Sequence, residues 1–254
     1  MPPEAEVRRH DYLSAPQVPD SPGGARVVLA DPPYNIGVDY AGDGSGDRLP
    51  DSKYRLLCQK ALRHHARVLA PGGTCWWVVP AGHLEWLGPM MESAIGPRLY
   101  LIVWEEAFAQ YQRHDLTSDF RLIVVHANDR GPVYRDMDAI RVRSVRQDMG
   151  DKRADPQGRV PGRVWRFRRL QGTSTDRVGW HPAQLPPELL QRIVLGWSAR
   201  GDLVVDGFAG SGSLGVECLR MGRRFVGLER SAEYVKKANQ RLRTVAKELS
   251  DGNV

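Results

Sequence analysis

The chain has 254 residues, of which 41% are hydrophobic and 26% charged, and its net charge is +6. That length supports one sizeable α/β domain with a smaller insertion, and the mixed charge excludes a disordered chain. No stretch reaches the roughly 18 apolar residues of a membrane span, and MPPEAEVRRH has neither an apolar core nor a small-residue cleavage site, so neither membrane association nor a secretory signal is expected.

In chain order, residues 7–9 form a short expected strand, followed by Asp11. After a Pro-, Gly- and Ser-rich loop, the apolar run ARVVLA at 25–30 reads as a buried strand ending directly at Asp31-Pro32-Pro33-Tyr34. A polar loop rich in Gly and Asp follows. Leu57, Cys58, Ala61, Leu62, Ala66 and Leu69 then mark a helix over 54–69, stopped by Pro71-Gly72-Gly73. Residues 74–79 are a second buried strand, with Trp76 and Trp77 in the core, and 83–94 a helix. Two more strands are expected at 99–104 and 120–126; His114 and Asp115 in the loop between them either cap a turn, the reading favoured slightly, or reach DNA. His64 and His65 read as helix-surface residues.

Residues 127–180 have weak periodicity and many turns. Residues 130–178 hold 13 Arg or Lys against 6 Asp, a local excess that accounts for the whole chain's +6. A basic segment on a near-neutral body suits a polyanion, and equally a solvated basic surface. A helix opened by Pro186-Pro187 and ending near Trp197, a strand at 203–205, a helix at 214–221, a strand at 225–228 and a final helix from about Ser231 complete the chain. Strands alternating with helices imply a parallel-rich sheet covered on both faces. The cysteines Cys58, Cys75 and Cys218 form no CxxC pair and read as buried side chains in a reducing cytoplasm, with no metal site expected.

Two constellations carry chemistry. Asp206-Gly-Phe-Ala-Gly-Ser-Gly-Ser lies between a strand and a helix, where Gly210 and Gly212 allow close backbone approach and the helix start offers free N–H groups. Glu229, at the end of the next strand, suits ribose hydroxyls. Strand, glycines, helix, strand and acid together favour an adenosine-type ligand over a bare turn. At Asp31-Pro32-Pro33-Tyr34, the prolines present carbonyls and no N–H groups, Asp31 adds an acceptor and Tyr34 a flat face. Acceptors beside an aromatic plate suit a planar group bearing an amine, such as a nucleobase. The ring of Tyr34, more than its hydroxyl, is expected to matter.

DPPYNIG followed much later by FAGSG resembles the β-class DNA amino-methyltransferases, in which a DPPY-type motif precedes an FxGxG motif in circularly permuted order. The resemblance covers nearly the whole chain. It implies a Rossmann-like, circularly permuted α/β sheet with a small basic insertion. Residues 1–128 would be the half carrying the DPPY motif, 129–180 a basic target-recognition insertion, and 181–254 the cofactor-binding half of the same domain. The implied cofactor is S-adenosylmethionine, held by Asp11, Asp31, His181, Gln184, Asp206, Phe208, Gly210, Gly212 and Glu229. His181-Pro182-Ala183-Gln184 is similar to the family's HPxQ element, near the methionine part of the cofactor, and Asp11 would meet its adenine. Asp31, Pro32, Pro33 and Tyr34 would be catalytic. Two departures stand out: the family usually has Pro where Gly207 stands and Thr-Thr where Ser213-Leu214 stand.

The implied substrate is double-stranded DNA, extruding adenine onto Tyr34, with Arg143, Lys152, Arg153, Arg159 and Arg163 making phosphate contacts. Asp rather than Ser at the first motif position favours adenine N6, with cytosine N4 as the alternative. Cytosine C5 is disfavoured because no Pro-Cys pair occurs. Motif order argues against the ribosomal RNA guanine-N2 enzymes. A catalytically inactive DNA-binding protein of the same fold is the remaining alternative. A homodimer and a cognate restriction endonuclease are partners the resemblance allows, and a bacterial or phage-encoded cytoplasmic protein is expected.

Overall fold

In the computed structural model, which describes residues 4–14, 24–40, 47–106, 113–114, 116–170, 172, 174 and 176–252, the expected strands assemble into one sheet. Its elements are β1 (Ala5–Arg9), β2 (Ala25–Ala30), α1 (Asp51–Val68), β3 (Leu69–Val79), α2 (Leu84–Ile95), β4 (Arg98–Glu105), β5 (Phe120–Ala127), α3 (Val145–Asp148) and β6 (Val164–Arg166). They continue with α4 (Pro187–Trp197), β7 (Leu203–Asp206), α5 (Ser213–Arg220), β8 (Arg224–Glu229) and α6 (Ala232–Ser250). The eight strands lie in the order β1-β8-β7-β2-β3-β5-β4-β6. β3 with β5 and β5 with β4 are antiparallel; the other neighbours run parallel.

Successive strand residues face opposite sides, so each central strand feeds two cores. Leu29, Trp76, Val78, Ile123 and Val204 pack with α4, α5 and α6. Val28, Ala30, Trp77, Val124 and Val205 pack with α1 and α2 on the other side. Trp76 and Trp77 are fully buried, as are all three cysteines. Among the described residues, no helix is long and apolar enough to cross a membrane.

Three expectations change. Helix α1 begins at Asp51 and yields to β3 at Leu69, because Leu69 is extended and already pairs with Ala25 of β2. His64 and His65 are buried, not surface, at 2% and 0% exposure. His65 extends the stripe Tyr54, Cys58, Ala61 by another turn, and the segment after β1 covers it with Tyr12. Trp77 Nε1 donates to His65 Nδ1 at 3.3 Å, which leaves the proton of neutral His65 on Nε2, facing the Tyr12 hydroxyl 3.5 Å away. Burial holds His65 well below the usual histidine range and pushes His64 down to about 4.

The third change concerns the basic segment, which supplies a strand of its own. β6 has only one buried side chain, Trp165, flanked by exposed Val164 and Arg166, so no periodicity announces it. Trp165 lies against Trp76 and Trp197, with centroids 6.2 and 6.5 Å away, and this indole anchors the segment to the sheet.

Candidate active site

The carboxyl ends of β1, β8, β7 and β2 lie side by side, and the chain turns at each of them. Asp31 directly follows β2, whose strand ends because Pro32 and Pro33 lack the N–H groups to continue a ladder. Asp206 closes β7 and Glu229 closes β8. Together with Asp11 after β1, these carboxylates line one cavity of about 550 Å³. This is the edge at which open α/β sheets receive ligands.

The glycine turn after β7 forms the floor of the cavity. Gly210 has φ +47, and a Cβ there would lie 2.6 Å from His181 Nε2, so the bare backbone admits the imidazole. The Gly210 N–H donates to Glu229 Oε2 (3.0 Å), and the Ser231 N–H donates to Oε1 (2.7 Å). Each oxygen keeps a lone pair for a further donor. Asp206 Oδ1 accepts from the Phe208 N–H at 2.9 Å. Phe208 and Tyr12 present rings 5.4 Å apart on one wall.

Burial pushes the Asp206 carboxyl up to about 7, with the charges of Asp31 and Glu229 adding to the effect. Burial likewise pushes Asp31 up to about 6, partly offset by the Tyr34 hydroxyl and Arg121, and it raises Glu229. Three desolvated carboxylates around one cavity form a negative pocket that a cation would relieve. His181 is pushed down to about 4 by burial and is neutral.

The sequence profile of the DNA methylase family (N6_N4_Mtase) matches residues 25–240 and so spans both constellations. The chain belongs to this DNA methylase family. The methylase is 29% identical over 230 residues to the type II methyltransferase M.HpaI of Haemophilus parainfluenzae, covering 85% of this chain and 67% of that one. It is 29% identical over 226 residues to the DNA adenine methyltransferase YhdJ of Escherichia coli K12, covering 85% and 75%. Its fold is shared with the M1.HpyAVI–SAM complex, at a TM-score of 0.62 and 17% identity, covering 87% of this chain and 89% of that one.

Of the residues singled out in the methylase sequence, Asp11, Asp31, Pro33, His181, Gln184, Asp206, Phe208, Gly210 and Glu229 line the cavity. Gly212 does not: it sits in the left-handed region at φ +73, begins α5, and lies against Ala238 of α6. Gln184 lines the cavity; its amide accepts from the Val178 N–H, donates to the Asp176 carbonyl, and keeps one lone pair and one N–H for a ligand. Pro32 is buried beside the cavity rather than lining it. Tyr34 also lies outside, with its hydroxyl on Asp31.

An aromatic wall had no signal in the motifs. Tyr234 of α6 stands 4.8 Å from His181 and 5.8 Å from Trp180, centroid to centroid, and its hydroxyl donates to the Tyr40 carbonyl. Three distant segments meet there, and only the adjacency of Trp180 to His181 in sequence pointed to it.

The five basic residues of the segment fall into two groups. Arg143 is paired with Asp148, Arg153 with Asp151 at 2.9 Å, and the Arg163 guanidinium lies 5.5 Å from the Tyr100 ring centroid. Lys152 and Arg159 are exposed and have no acidic partner among the described residues. His114 is exposed, and Asp115 lies outside the described residues.

Proposed function

We propose that this methylase transfers a methyl group from S-adenosylmethionine to N6 of adenine in double-stranded DNA. The observation that carries the reading is the convergence of Asp31 with Glu229 and Gly210 on one cavity. It brings an amine-gripping carboxylate to the edge of an adenosine-type site. The residues fit the cofactor: a side-chain-free cradle at Gly210, a ribose-accepting carboxylate at Glu229, apolar rings at Phe208 and Tyr12, and negative charge for a sulfonium. We assign cofactor contacts to Asp11, Asp31, His181, Asp206, Phe208, Gly210 and Glu229, and give Gly212 and Gln184 supporting roles in the backbone around them.

When bound, S-adenosylmethionine supplies an electrophilic methyl group on a sulfonium centre. The adenine amine is a poor nucleophile because its lone pair is delocalised into the ring. Asp31 and the Pro32 carbonyl accept its two hydrogens and turn the lone pair toward the methyl group. Catalysis is then alignment plus stabilisation of the positive charge developing on nitrogen. The Tyr34 hydroxyl occupies Asp31 Oδ1, which leaves Oδ2 for the amine. Inside a duplex the amine cannot meet this line of attack, so the base rotates out and stacks on Tyr34.

Asp31, in place of the Ser more frequent in cytosine-N4 members, supports adenine, and the relative named a DNA adenine methyltransferase supports the same reading. The basic segment, residues 129–180, serves as the target-recognition region, with the chain order of a permuted family member. A cytoplasmic enzyme, alone or beside a cognate endonuclease, fits this role.

Glu229→Ala tests the cofactor assignment. Calorimetry should show affinity for S-adenosylmethionine weakened by about 1.5–3 kcal/mol, the worth of a hydrogen bond to a charged group. Unchanged affinity in a folded variant removes Glu229 from the site.

A further inference from the structure

Glu106 immediately follows β4, and its side chain is 3% exposed. Two guanidinium groups flank its Oε2: Arg121 of β5 at 3.8 Å, and Arg169 of the basic segment at 3.6 Å. Oε2 is buried and makes no hydrogen bond among the described residues. Both contacts are longer than the roughly 2.7–2.9 Å of a charge-assisted hydrogen bond, and Arg121 Nη1 donates instead to the Phe120 carbonyl at 3.1 Å. This carboxylate and its arginines therefore keep unspent acceptors and donors. Arg121 also reaches the target motif, with its guanidinium carbon 5.7 Å from the centroid of the Tyr34 ring.

We infer that Glu106 is a positioning residue for the methyl-accepting base, holding Arg121 beside Tyr34 and tying Arg169 of the basic segment to the same point. The inference rests on the reading of Asp31 and Tyr34 as the amine site. A nucleobase edge carries both ring-nitrogen acceptors and amine donors, and the three side chains offer the complements of both. Holding an arginine of the DNA-binding segment against the same carboxylate links the arrival of the duplex to the geometry at Tyr34.

The charged and titratable groups around Asp31 are the Tyr34 hydroxyl, Arg121, Arg169, Glu106, Asp206, and the Tyr40 and Tyr54 hydroxyls. Of the trio, Glu106 opposes ionisation of Asp31, whereas Arg121 and Arg169 favour it. Removing an anion and removing a cation must therefore move Asp31 in opposite directions.

The test is the pH dependence of kcat/KM on duplex DNA, measured with the full chain and S-adenosylmethionine. Wild type should show an acid limb near pH 6. Glu106→Gln should move that limb to lower pH and Arg169→Gln to higher pH, while Glu106→Asp leaves it in place. Arg169 is 41% exposed in its side chain, so its replacement leaves the fold intact even if Glu106→Gln does not fold. Charge alone moves the limb and leaves the plateau kcat untouched; a positioning role also lowers the plateau kcat of Glu106→Gln several-fold, with Glu106→Asp restoring it, and an unchanged plateau in Glu106→Gln overturns the inference. An acid limb that is present in wild type, lost with Asp31→Asn, and unmoved by both Gln variants overturns the inference alone. Full activity of Asp31→Asn overturns the amine reading and the inference together.

Discussion

The Tyr34 hydroxyl donates a 2.6 Å hydrogen bond to Asp31 Oδ1, so the aromatic plate and the amine acceptor of the proposed site are one unit. The bond gives the hydroxyl a role that the sequence motif alone did not suggest. It helps hold Asp31 ionised against the burial that pushes its carboxyl up to about 6.

Tyr34→Phe should therefore act mainly at low pH. Without the hydrogen bond, the Asp31 pKa rises further, and the variant should approach wild-type turnover at pH 8 while falling behind near pH 6. Tyr34→Ala also loses the stacking plate, worth about 1–3 kcal/mol per base, and should be slow at every pH. A fluorescent adenine analogue at the target position should brighten with wild type and Tyr34→Phe, and little with Tyr34→Ala. Equal brightening with all three means another residue holds the base.

Asp206 should trade stability for binding. Its folded-state carboxyl lies near 7 against 3.8 in an exposed chain, so the folded protein holds a proton that the unfolded chain releases. The resulting stabilisation is full below 3.8 and is lost as pH rises through 7. Asp206→Asn cannot lose it. At pH 8 the ligand-free variant should be more stable to urea than wild type, by on the order of a few kcal/mol, and should bind S-adenosylmethionine more weakly. An equal pH dependence of stability in both proteins contradicts this.

Gly207 stands where the family usually has Pro, and the structure supplies a steric reason. A Cβ at 207 would lie 2.3 Å from His65 Nε2 and 3.3 Å from the Tyr12 hydroxyl. Gly207→Ala should cost about 1–3 kcal/mol by overpacking. The same change in a His65→Ala background should cost much less, a coupling that a double-mutant cycle in urea measures. Additive effects indicate that the imidazole is not what requires glycine.

Local signals carried much of the fold. The run 25–30 is apolar and bounded by Asp31-Pro32, so β2 is legible with both ends, and β7, expected at 203–205, runs one residue further to Asp206 before its glycine turn. What escaped depends on long-range contact. Trp165 gives β6 its only buried side chain. His65 lies on the buried stripe of α1, yet its polarity argued for the surface. The wall of Tyr40, Trp180 and Tyr234 joins residues from three segments, and Glu106, Arg121 and Arg169 likewise meet only in the folded chain. Gly212 belongs to the glycine motif yet starts α5 outside the cavity, whereas Gln184 lines the cavity while tying its own loop.

The basic segment should contribute unequally to DNA binding. Lys152 and Arg159 have no acidic partner among the described residues, so each should flatten the slope of log affinity against log salt by about 0.9 when neutralised. Arg143 and Arg153 must first leave Asp148 and Asp151, and their removal should change the slope less. If neutralising Lys152 and Arg159 together leaves affinity and slope unchanged, duplex DNA binds another face.

The methylated atom decides between adenine N6 and cytosine N4. Duplex DNA incubated with the protein and S-adenosylmethionine, then digested to nucleosides and analysed by mass spectrometry, should contain N6-methyl-2′-deoxyadenosine and should lose that product with Asp31→Ala. Methyl transfer found only as N4-methyl-2′-deoxycytidine would overturn the adenine assignment while leaving the fold and the cofactor site standing.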